Sequence, residues 1–107
     1  MNGEEKIIEH AQERIVTVAH PRKIILFGSR ARGIADPDSD VDLLVVVEDP
    51  IADRWKLQRD LRSAVRDAEL PVEPWVMGAQ EFEETRGVVG GLAYPAATEG
   101  KVLYEKV

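Results

Sequence analysis

The stretch Asp40-Val41-Asp42-Leu43-Leu44-Val45-Val46-Val47 constrains the fold of this chain more than any other. Its aliphatic, largely β-branched run reads as a strand buried on both faces, which is the environment of a strand inside an α/β sheet. Two carboxylates at the head of such a strand need an explanation. Side chains alternate across a strand, so Asp40 and Asp42 fall on one face, where like charges raise each other's pKa unless a cation lies between them. A divalent metal is the economical answer.

Other strands and helices follow from pattern. Glu4 to Ala19 carries Ile7, Ile8, Ala11, Ile15, Val18 and Ala19 at helical spacing, and Pro21 ends it. Lys23 to Phe27 is a short apolar strand. Gly28 then permits a tight turn, and Ser29 to Arg32 read as a short helical turn with Ser29 as its cap. Residues 34–39 form a loop in which Asp36 and Asp38 read as turn residues rather than ligands.

The second strand runs from about Asp40 to Glu48. Asp49-Pro50 reads as the start of the next helix, with Ile51, Trp55, Leu61, Ala64, Val65 and Ala68 inward and Arg54, Arg59, Arg62 and Arg66 mostly outward. Val72 to Met77 is a third strand, and Pro74 within it points to a sheet edge or a bulge. Trp75, on the face of Glu73, either lines the site or covers the sheet. Gln80 to Thr85 is a short helix at best, and Lys101 to Tyr104 reads as a last strand. Residues 88–99 stay open, because Gly90, Gly91 and Pro95 interrupt any pattern. The expected fold is α/β (α+β), a small mixed β-sheet with flanking helices, in one domain over residues 1–107.

Composition narrows the function classes. With no cysteine the chain has neither a disulfide framework nor a thiolate metal site. Its longest apolar runs fall far below the roughly 20 residues that span a bilayer. The N-terminus lacks a signal-peptide shape, so a cytoplasmic location is expected. A net charge of −6 disfavours extended nucleic-acid binding. A nucleotide is a different matter, since a metal and a few arginines neutralise its phosphates. His10 and His20 have no metal-like spacing and read as surface or helix-end residues.

The chemistry gathers in Phe27-Gly28-Ser29-Arg30-Ala31-Arg32-Gly33 and the aspartates after it. A Gly-Ser turn after a buried strand lets backbone N–H groups and a hydroxyl approach phosphate oxygens. Two carboxylates hold magnesium, which bridges phosphates and aligns attacking and leaving oxygens. Glu73, on the next strand, is the natural third acid, as base or metal ligand. Arg30 and Arg32 either contact phosphates or pair with nearby acids.

These residues resemble the signature of the DNA polymerase beta-type nucleotidyltransferase superfamily, and the fuller string resembles its minimal nucleotidyltransferase (MNT) branch. The ending Glu99-Gly100-Lys101-Val102-Leu103-Tyr104 fits that branch too, so the resemblance covers essentially the whole chain. It implies a nucleotidyltransferase fold in which Gly28 and Ser29 hold a nucleoside triphosphate and Asp40 and Asp42 bind Mg2+. Glu73 stands where the family usually has a third aspartate. The resemblance further implies an antitoxin, of the MntA-like kind, that moves AMP from ATP to a tyrosine of a HEPN-type ribonuclease toxin, in a hetero- or homo-oligomer. The rival expectations are neutralisation of the toxin by binding alone, which the Glu73 departure favours, and nucleotidyl transfer to a small molecule, which a missing substrate domain disfavours.

Overall fold

The computed structural model describes residues 3–107. Among them the order is α1 (Gly3–Ala19), β1 (Lys23–Phe27), β2 (Val41–Val47), α2 (Arg54–Ala64), β3 (Val72–Gly78), α3 (Ala79–Thr85), α4 (Ala93–Glu99) and β4 (Lys101–Glu105). The strands form a mixed sheet in the order β3-β2-β1-β4. β1 pairs antiparallel with β2 and with β4, whereas β2 and β3 are parallel. A parallel pair cannot be joined by a hairpin, and α2 supplies the crossover.

The apolar run of β2 is explained by its place. Val41, Leu43, Val45 and Val47 join one core cluster with Ile15 of α1 and Leu61 of α2. Leu44 and Val46 join a second cluster with Phe82 of α3 and Ala93 and Ala96 of α4. Helices therefore cover both faces from Leu43 to Val47, and only Asp42, near the head of the strand, is partly exposed.

Several local readings hold. α1 stops at His20, whose φ of 45° is left-handed and whose N–H donates to Val16 O, and Pro21 cannot continue the helix. Pro74 sits on an edge strand, β3. The open stretch 88–99 contains α4, where Pro95 lies in the first turn and so lacks only an N–H with no intrahelical acceptor.

Two readings around α2 are corrected. The helix does not start at Asp49-Pro50. It starts at Arg54, where the Asp53 carboxylate accepts from Lys56 N at 3.0 Å. Asp49 instead accepts from Gln80 N at 2.8 Å and caps α3 across space. Trp55 is not core but 77% exposed. Six residues at 100° each place it about 120° away from Leu61, while Leu57 falls near Leu61's direction. Leu57 packs on the first cluster, and Ile51 reaches it from the loop before the helix.

The edge strand β3 is closed by side chains of α2. Gln58 Nε2 donates to Pro74 O at 2.6 Å, and Val76 N donates to Gln58 Oε1 at 2.9 Å. Arg54 Nη2 donates to Val76 O at 2.9 Å and its Nη1 to Glu81 at 3.1 Å. A proline on the edge leaves no N–H there to be paired, and one glutamine amide serves the groups on either side of Trp75.

Candidate active site

Three strand ends meet at the site. Phe27, the last residue of β1, is paired with Asp42 of β2, which is paired on its other side with Glu73 of β3. Chain register alone therefore brings the turn after Phe27 beside Asp42, with Glu73 one strand further on. Asp42 lies on the α3/α4 face with Leu44, and Trp75 is paired with Leu44 one step along the same face. Asp40 precedes the first residue of β2 and is exposed.

Gly28 has a φ of 78°, the left-handed region that glycine enters without penalty. The absence of a side chain matters for a second reason: an ideal Cβ there would stand 2.5 Å from Asp42 Oδ2. Ser29 to Arg32 form a single hydrogen-bonded turn, closed by an i→i−4 bond of the helical kind. Arg32 N donates to Gly28 O, Gly33 N to Arg30 O and Ile34 N to Ser29 O, and Gly33 also has positive φ, at 74°.

The two arginines part company. Arg30 is buried, donating from Nε and Nη2 to Ser39 O at 3.0 and 2.6 Å, from Nη2 to Pro37 O, and from Nη1 to Glu4. It ties the loop before Asp40 to α1, which is the pairing alternative in place of a phosphate contact. Arg32 is half-exposed and reaches Glu99 at 3.8 Å. Asp36 shapes the same loop as a turn residue, its carboxylate accepting from Asp38 N and from Ser39 Oγ. No local signal in the sequence marked Arg30 as a clamp, since its partners are mostly backbone carbonyls nine residues away or fewer.

Asp42 carries the electrostatic burden. Burial pushes its carboxyl above the ordinary value, and Asp40 and then Glu73 push it further, while the Trp75 indole acts against them as a hydrogen-bond donor. A cation beside Asp42 would relieve all three upward pressures at once. Oxygen donors of this kind suit magnesium, which keeps several of its ligand positions for water and substrate phosphates. Among the described residues no three His, Cys, Asp or Glu side chains gather as a group that could hold a metal ion. Two carboxylates with a triphosphate suffice for magnesium, so the residues present fit the ion.

The nucleotidyltransferase-domain family model matches residues 4–89. The chain belongs to that family. Its fold also matches solved structures of low sequence identity. One, from Sulfolobus solfataricus and provisionally assigned as a nucleotidyltransferase, is 17% identical with a TM-score of 0.67, over 94% of this chain and 79% of that one. A toxin–antitoxin structure with AMP-PNP is 23% identical with a TM-score of 0.52, over 98% and 75%. A mutant of the toxin–antitoxin MntA-HpeT is 24% identical with a TM-score of 0.51, over 99% and 75%. Among curated proteins none matches this nucleotidyltransferase chain.

Proposed function

We propose that this nucleotidyltransferase domain is a magnesium-dependent protein adenylyltransferase and the antitoxin of a toxin–antitoxin pair, acting in the cytoplasm. Its donor is ATP, and its acceptor is a tyrosine hydroxyl of a HEPN-type ribonuclease partner. The observation that carries the reading is the register Phe27–Asp42–Glu73, which sets the Gly28-Ser29 turn against two acids on adjacent strands. The toxin–antitoxin and AMP-PNP descriptions of two structural neighbours support the partner and the donor.

In this mechanism the backbone N–H groups of Gly28 and Ser29, with the Ser29 hydroxyl, bind phosphate oxygens of the nucleotide. Asp40 and Asp42 would hold magnesium, which when bound would supply neutralisation of charge developing on the triphosphate. Arg32, the more exposed of the two arginines, leaves Glu99 to meet a phosphate. Glu73 accepts the proton of the acceptor hydroxyl. The hydroxyl oxygen bonds to the α-phosphorus, the bond to the β-phosphate bridging oxygen breaks, and pyrophosphate leaves. Positioning and charge neutralisation carry the reaction without a covalent enzyme intermediate.

A second reading has two observations in its favour: Glu73 stands where the family usually has an aspartate, and no compact three-acid cluster forms among the described residues. On it the protein neutralises its partner by binding alone. Incubation with labelled ATP, magnesium and the adjacent gene's product separates the two. The enzyme reading expects label on the partner, abolished by Asp40→Asn and by Asp42→Asn. A tight, inhibitory complex with no label transferred would leave binding as the function.

A further inference from the structure

The exposed face of α2 carries a stripe that the site chemistry does not use. Trp55, Arg59, Arg62 and Arg66 follow one another at steps of four, three and four, which places them on one side of the helix and of the turn that continues it. Trp55 is 77% exposed, and all three arginines are exposed. None of the three guanidinium groups makes an ion pair or hydrogen bond among the described residues, although seven other basic side chains pair with acids there.

The stripe is out of character for its molecule. The chain has a net charge of −6, yet here a large aromatic and three unneutralised arginines run together. Exposed tryptophan and arginine are the two residue types that most often dominate binding energy at protein interfaces. The stripe also has a direction. α2 is the crossover between parallel strands, so it runs opposite to β3, and Gln58 and Arg54 fasten it along the β3 edge. Arg66 therefore stands towards the end of the sheet where β3 begins at Val72, and Trp55 about 16 Å of helix away from it.

We infer that this stripe docks a protein partner whose facing surface is acidic and holds an apolar pocket for Trp55. The inference rests on the antitoxin reading for the partner's identity, not for the surface. A protein is favoured over a polynucleotide because three arginines in a chain of net charge −6 form too small a basic patch to track a phosphate backbone. A docked partner would lie along the β3 edge, leaving the turn at Gly28 open to a nucleotide.

The test measures binding of the 107-residue chain to the purified product of the adjacent gene, without nucleotide, so that failure of label transfer does not bear on it. Trp55→Ala and the double variant Arg59→Glu/Arg62→Glu should each weaken the complex by about tenfold or more. Only the charge variant should lose the acceleration of association at low salt. Melting temperature and binding of Mg·ATP should stay unchanged in both. No complex with the wild-type chain overturns the antitoxin reading together with this inference, whereas a complex that the variants form with equal affinity overturns this inference alone. So does a stripe-dependent affinity for an oligouridylate in place of the protein, or a self-association that the variants abolish while partner binding persists.

Discussion

A side chain at position 28 would collide with the carboxylate of Asp42, since an ideal Cβ on Gly28 falls 2.5 Å from Asp42 Oδ2. The turn that follows β1 and the second residue of β2 are thus packed backbone to carboxylate.

Gly28→Ala meets two penalties, the positive φ and the contact. Together they should cost about 1–3 kcal/mol of stability. They also displace Asp42, so nucleotidyl transfer should fall about a hundredfold or more. Urea unfolding and single-turnover transfer measure the two effects. A variant with an unchanged urea midpoint would remove the contact from the account.

Asp42 sets a pH dependence whose sign follows from its raised folded pKa. A raised folded value means that protonated Asp42 suits the fold. Its contribution is fully present below the unfolded value and is lost as pH rises through the folded one. Metal-free wild type should therefore lose stability relative to Asp42→Asn across that window, and the variant should melt higher at neutral pH while being inactive. Magnesium should stabilise wild type at neutral pH, less so in acid, and leave the variant nearly unaffected. Paired thermal melts across pH, with and without magnesium, would refute this if the variant melted lower.

Gln58→Ala removes both hydrogen bonds that one amide makes to β3. An unpaired Val76 N–H and Pro74 carbonyl should cost about 1–3 kcal/mol. Hydrogen exchange at Val76 should accelerate before that of the central β2 amides. Gln58→Glu keeps the acceptor but loses the donor, and should fall between wild type and alanine.

Arg30→Lys keeps a charge but not the planar fork that reaches Ser39, Pro37 and Glu4 together. The buried site should lose about 2–4 kcal/mol. Limited proteolysis should show cleavage within residues 34–39 at protease levels that leave wild type intact. Equal protection of that loop in both proteins would argue against the clamp.

Much of this molecule was legible in order along the chain. The apolar runs of β1 and β2, the glycine after Phe27 and the aspartates at the head of β2 each announce themselves within a few residues. Pro74 correctly marked an edge. Trp55 is misleading, because its hydrophobicity suggests the core while helical phase turns it about 120° from Leu61. Asp49 misled because a capping residue next to a proline looks the same whether it caps its own helix or one far away in sequence.

By itself the sequence determined the strands, the carboxylate pair and the nucleotidyltransferase signature, because periodicity and turn chemistry act over short spans of chain. Only the tertiary structure decided that Asp42 faces Glu73 across a parallel ladder, that Arg30 serves a loop, and that Gln58 completes the edge left by Pro74. Those relations join groups through space. Which donor meets which acceptor is settled by strand order and helix placement, and these emerge only when both faces of β2 are buried.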